Sequence, residues 1–186
     1  MELSLLQLRV LDLGAGEGNL GIDLEKLYPN VRENKRKKVE YEGIDILPSS
    51  NPKVKTFDFT YKKLPKNTYD LIISMWSLDY VGNKLRTIQN CCDALQVNGK
   101  LILHTHTNKS LLKETLERDN PHLQIDIEST NGIIITKTKD LPTIINLRLE
   151  SIKPVDQKRY YEKYNPKSNV GIQYESTALK TNYSRK

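Results

Sequence analysis

Apolar and polar positions along the 186-residue chain alternate between short apolar blocks and stretches of helical period. LQLRVLDLG (6–14) is an apolar run stopped by a glycine loop, the pattern of a buried strand. NLGIDLEKLY follows with Leu20, Leu24 and Leu27 at helical spacing and Pro29 just past the end. RENKRKK reads as a charged, solvated loop. VEYEGIDI predicts a second strand with Asp45 at its end, and VKTFDFT a third that holds Asp58. YDLIISMW is a fourth and almost wholly apolar, as strands buried on both faces are. NKLRTIQNCCDAL puts Leu85, Ile88, Cys92 and Leu95 on one helical face, which makes the cysteines packing residues. After the Asn98-Gly99 turn comes a fifth strand, KLILHT, then a helix, KSLLKETLER. LQIDIESTNGIIITKT reads as two strands joined around Asn131-Gly132.

Strands that alternate with helices and end in a hairpin imply an α/β domain: a mostly parallel sheet with a C-terminal antiparallel hairpin. The link between the second and third strands is shorter than the dozen or so residues of a helical crossover, so an irregular or very short helical connection is expected there. From Asp140 the period fades into polar, Tyr-rich sequence. This divides the chain into one domain over 1–139 and an extension over 140–186, an extended tail or docking arm that is partly disordered.

Composition narrows the class. No apolar run approaches the roughly 20 residues of a membrane span, and the start lacks the pattern of a secretory signal. Neither a membrane nor an export route is expected. Two adjacent cysteines make a poor disulfide and fit a reducing compartment, cytoplasm or nucleus. Net charge is +6, and residues 140–186 carry nine Lys/Arg against five Asp/Glu. The basic excess therefore sits mainly in the extension and favours an acidic partner.

The candidate chemistry starts at VLDLGAGEGNLG (10–21). It fits G-x-G-x-x-G from Gly16, a dinucleotide turn, and D-x-G-x-G-x-G from Asp12. Glycines there permit φ > 0 and close approach of a ligand to the backbone, and the following helix N-terminus adds free N–H groups. Three features favour the second frame. Asp12 lies inside the strand end, where a carboxylate suits a ligand that carries an ammonium. Asp45 ends the second strand, placed to accept from ribose hydroxyls. Asp58-Phe59 follows the third, an acid for an adenine amino group beside a ring for its face. Acids at three successive strand ends line the crevice where open α/β sheets bind ligands. A nicotinamide oxidoreductase would also need a second catalytic region, and none is visible.

With LDLGAGEG, GID, FDFT, YDLIISMWSLDYV and LQVNGKLIL in this order, the chain resembles the class I S-adenosylmethionine-dependent methyltransferases from about Val10 to Lys137. The resemblance implies a Rossmann-like methyltransferase sheet in a single domain, with S-adenosylmethionine as cofactor. It implies that Asp12, Gly14, Gly16 and Gly18 hold the methionine part, Asp45 the ribose, and Asp58 with Phe59 the adenine. Met75 and Trp76 would line the pocket near the methyl group. DILPSSNP, DFTYKKLP and ISMWSLDYV are also similar to the fungal large-subunit rRNA adenine-N1 methyltransferases, although the glycine-rich turn departs from that family.

On the substrate side, SMWSLDY stands where family members that methylate amino groups often carry Asn/Asp-Pro-Pro-aromatic, which argues against that chemistry. Asp79, Tyr80, His104 and His106 remain. Asp79 could orient or deprotonate a nucleophile, or cap a helix; His104 could face the cleft. HTH without an acid cluster does not suggest a metal site. A chain that starts almost on its first strand leaves little room for a lid of N-terminal helices. The expected cleft is open, suited to a large substrate or to a partner subunit that covers it. The basic, Tyr-rich KRYYEKYNPK leans toward RNA, lysines meeting phosphates and tyrosines stacking on bases. Protein or small-molecule methylation, and a non-catalytic methyltransferase-like partner subunit, are the alternatives.

Overall fold

Each apolar block takes up the expected element in a computed structural model, which describes residues 6–27, 37–59, 62–81, 83–106, 108–128 and 132–144. The order is β1 (Leu6–Leu13), α1 (Asn19–Leu27), β2 (Lys37–Asp45), β3 (Val54–Thr56), β4 (Tyr69–Met75), a 3-10 turn (Ser77–Tyr80), α2 (Lys84–Ala94), β5 (Leu95–His104), α3 (Lys109–Asp119), β6 (Leu123–Ile127) and β7 (Gly132–Lys137).

The strands form one sheet in the order β3-β2-β1-β4-β5-β7-β6. Strands β1 to β5 pair in parallel. Strand β7 inserts between β5 and β6 and runs antiparallel to both. The hairpin expected from Asn131-Gly132 therefore forms, and its second strand is the one that docks onto the parallel sheet. The chain reverses direction across the sheet at β1, between β2 and β4, and a topological switch of this kind opens a crevice at the strand C-termini.

Central-strand residues are almost fully withdrawn from water: Leu11, Ile72, Leu101, Ile133 and Ile135. Helix α1 packs on β2, α2 on β5 and α3 on β6. Cys91 and Cys92 are free thiols in this core, where burial raises both pKa values; that of Cys92 reaches about 12. Their chemistry is silent and their role is packing. Asn83 caps α2 by accepting from the Arg86 N–H (2.9 Å), and Asn108 caps α3 by accepting from the Leu111 N–H (3.1 Å).

Four details differ from the sequence reading. Strand β3 is only three residues long. After it the Phe57 N–H still bonds the Asp45 carbonyl (2.7 Å), and the chain then peels away and buries Phe59. The β2–β3 connection contains no helix, only bends and turns. Strand β5 starts at Leu95, directly after α2, and runs through Asn98-Gly99 with a register shift opposite Tyr69 and Leu71. That turn is a bulge within the strand rather than its start. Packing also continues beyond 139. The Thr143 N–H donates to Asp93 (2.9 Å), and the Ile144 backbone exchanges two bonds with the Asn120 side chain. The rest of the extension lies outside the described residues.

Candidate cofactor and acceptor site

The glycine turn leaves β1 at Leu13 with its backbone clamped to β2. Gly14 and Ala15 N–H groups both donate to the Ile44 carbonyl (2.8 and 3.1 Å). Gly14 has φ +69°, and a Cβ there would overlap the Ser77 side chain. Ser77 donates to the Leu13 carbonyl (2.6 Å) and pairs with Ser74 at 2.6 Å. The end of β4 is thereby bolted to the turn, and only glycine fits between them. Gly16 has φ +54° and open space where a Cβ would be, so the turn offers its bare backbone at that point. Gly18, at φ +75°, packs against Asn51.

Asp45 meets this turn from the end of β2. Its Oδ2 accepts from the Gly16 N–H and its Oδ1 from the Leu47 N–H, both at 2.9 Å. One carboxylate fixes both walls of the crevice. The β2–β3 connection is tied to the turn as well: Ser49 and Ser50 hydroxyls donate to Glu17, and the Asn51 amide donates to the Glu17 carbonyl.

Asp12 is 5% exposed and accepts from the Tyr41 hydroxyl (3.0 Å). Burial raises its pKa above the usual carboxylate value; the Tyr41 bond partly offsets this and the nearby Asp45 charge adds to it. Burial and Asp12 push the Tyr41 phenol well above the usual tyrosine range. The bare Gly21 in α1 makes room for the Tyr41 ring. Tyr41, Gly43 and Asp45 share one face of β2 by strand alternation. That period was the available signal for Tyr41, which the sequence reading passed over. No local signal marked Ser77.

The remaining site residues divide. Asp12, Gly14, Gly16, Gly18 and Asp45 come together in one hydrogen-bonded turn. Asp58 lies two residues past β3, half-buried. Phe59, expected to cover a ring face of the ligand, is buried among core residues. Met75 ends β4 and is 48% exposed. Trp76 follows with φ +68°, an uncommon backbone for so large a residue and a form of strain that gathers at functional sites. Its N–H donates to the His104 carbonyl (3.1 Å). Its ring meets His104 edge-on (5.6 Å) and lies against His106 (4.6 Å, 32° tilt).

Asp79, expected to orient or deprotonate a nucleophile or to cap a helix, is enclosed by bonded partners. It is 5% exposed, and its Oδ1 accepts from Lys84 (2.8 Å) and Thr105 (2.6 Å). Its Oδ2 accepts the His106 N–H (3.0 Å) and faces His106 Nδ1 at 2.9 Å. Burial alone would raise its pKa, but hydrogen bonds from Lys84, Thr105 and His106 outweigh it and hold the carboxyl below its ordinary value. A carboxylate this well satisfied is a poor proton acceptor and a good orienter.

Five parallel strands with β7 inserted antiparallel beside β5, a glycine turn after β1 and an acid closing β2 match a class I, Rossmann-like methyltransferase. The family model described as a methyltransferase domain matches residues 3–137, and the chain belongs to that family. No curated protein matches it. Among solved structures it is similar to the complex between the Haloferax volcanii Trm112 methyltransferase activator and its methyltransferase (12% identity, TM-score 0.53, 74% of this chain and 86% of that one). It is also similar to the CMeT domain of the citrinin polyketide synthase (17% identity, TM-score 0.50, 73% of this chain and 47% of that one). At these identities the likeness is one of fold.

The cofactor of the class is S-adenosylmethionine, and the site fits it. A buried carboxylate with a raised pKa gains from a cationic ligand, and Asp12 is one. The open space at Gly16 lets a ligand reach the backbone, and Asp45 is already oriented at the crevice wall. Asp12 would hold the ammonium end and Asp45 the ribose.

Proposed function

We propose that this chain transfers methyl groups from S-adenosylmethionine to a nucleophile on a large substrate, an RNA. When bound, the cofactor supplies a methyl already activated on a sulfonium. The protein's task is then alignment, which accounts for most of such catalysis. The observation that carries the substrate reading is the aromatic group at the end of β4 and β5. The Trp76 ring touches both His104 and His106, and Met75 beside it is exposed. Rings at a cleft edge stack on unpaired bases, and the basic extension adds phosphate contacts.

Transfer of tritiated methyl groups into separated RNA, protein and small-molecule pools tests this. Label is expected in RNA; label confined to either other pool overturns the RNA reading. Titration calorimetry separates both from a non-catalytic subunit, which would give no heat with S-adenosylmethionine at millimolar concentration.

A partner subunit that completes the cleft is a second reading. The exposed apolar side chains of Leu47 and Met75 favour it, as does the likeness to a methyltransferase solved with an activator. On this reading, a stable partner co-purifies with the full chain and raises its transfer rate.

A further inference from the structure

Holding the cofactor leaves the Asp79–His106 pair unused. Asp79 is kept ionised by the buried Lys84 ammonium at 2.8 Å. An ionised carboxylate only accepts, so at 2.9 Å the hydrogen sits on His106 Nδ1 and Nε2 becomes the basic nitrogen of the ring. A second bond, from the His106 backbone N–H to the same Asp79 oxygen, fixes the residue at main chain and side chain together. The Trp76 ring supports the imidazole from one side. The side chain remains 49% exposed. It sits two residues past the end of β5, where His104 pairs with Met75 at the end of β4. This is the sheet edge that carries the glycine turn.

We propose that His106 is the general base of the reaction and that Asp79 is its positioning residue. It follows that the methyl acceptor carries a proton that it gives up in the step, as an N–H, O–H or S–H group does and a bare ring nitrogen does not. The inference rests on methyl transfer itself; RNA enters only as the pool in which it is first measured. In the step, the acceptor lone pair forms the new bond to the methyl carbon. The carbon–sulfur bond breaks and sulfur keeps its electron pair. The acceptor proton passes to Nε2, and the Asp79 charge balances the imidazolium until water removes the proton. A ring nitrogen without a hydrogen would release no proton and would leave this arrangement without a task.

Among the described residues, Asp79 on the 3-10 turn faces the imidazole, and Lys84 on α2 bonds the same carboxylate.

The test uses the full chain in two arms. Long-range proton–nitrogen spectra of histidine-labelled protein report the tautomer without any substrate. The Nδ1–H form is expected for His106, with a shift toward the Nε2–H form in Asp79→Asn. A predominant Nε2–H form in the wild type overturns the proposal. In the second arm, single-turnover transfer is followed into whichever pool the wild type labels. His106→Gln is expected to lose about 10²- to 10⁴-fold in rate while its affinity for S-adenosylmethionine stays within twofold. The wild-type rate should fall tenfold per pH unit below one inflection, and His106→Gln should lack that limb. Because Asp79→Asn strands the Lys84 charge, Asp79→Asn with Lys84→Met is the folded companion. Transfer by His106→Gln within threefold of wild type, or a flat wild-type profile, overturns the proposal. Label in protein instead of RNA would end the RNA reading and leave the His106 comparison intact. Should no pool take label, the tautomer decides.

Discussion

At the scale of single residues, two glycines two positions apart do different work. Gly14 stands in the left-handed region with Ser77 pressed against it, whereas Gly16 has the same sign of φ but open space beside it. Gly14→Ala is expected to destabilise the fold by about 2 to 4 kcal/mol, from strain plus overlap. Gly16→Ala should cost about 1 kcal/mol of stability yet remove detectable binding of S-adenosylmethionine. Thermal melts and calorimetry on both variants check the contrast. Asp12 makes the opposite trade. A buried acid whose folded pKa is raised destabilises the fold wherever it is ionised, and this cost fades as pH falls through the raised value. Asp12→Asn should therefore melt higher than wild type at pH 7, and the gap should close on acidification. The same variant should bind S-adenosylmethionine at least about tenfold more weakly, a loss of roughly 1.4 kcal/mol. An unchanged melting temperature at pH 7 would count against this assignment of strain. Much of this was legible in the sequence: Asp12, Asp45 and the glycines were placed by motif order. The burial of Phe59 was not, because adjacency to Asp58 says nothing about which way a chain turns after a three-residue strand.

At the scale of elements, the joint between the 3-10 turn, α2 and the end of β5 depends on one buried ion pair. Lys84 and Asp79 have side chains only 9% and 7% exposed, and Thr105 adds a bond from β5. Breaking such a pair from one side leaves an uncompensated charge. Lys84→Ala should cost about 3 kcal/mol, read by denaturant unfolding. The pH dependence has a definite sign. The folded pKa of Asp79 lies below its unfolded value, so its stabilisation is present above the ordinary carboxylate range and is lost as pH falls through the lowered folded value. Acid unfolding of wild type should carry this contribution, and Asp79→Asn should lack it. The sequence offered Asp79 as a base or a cap. Which of its neighbours would meet it depends on β5 lying beside β4, a pairing between residues far apart in the chain.

At the scale of the whole molecule, the packed unit extends to at least Ile144, because Thr143 and Ile144 are bonded to Asp93, Gln89 and Asn120. A chain ending at 139 should melt lower than one ending at 147, by about 1 to 3 kcal/mol for the exposed buried partners. The longer of the two should match the full chain in S-adenosylmethionine binding and, on the RNA reading, lose transfer to RNA. No helix of the described residues is long and apolar enough to cross a membrane. By itself, the amino-acid sequence determined the order of the seven strands and three α-helices and the location of the glycine turn, because apolar period, glycines and strand-end acids are local properties. Only the tertiary structure decided that β7 lies between β5 and β6, that Phe59 is buried in the core, that Tyr41 and Ser77 brace the turn, and that Asp79 meets His106. Each of these is a contact between distant segments, fixed when the sheet assembles and buried groups must find partners.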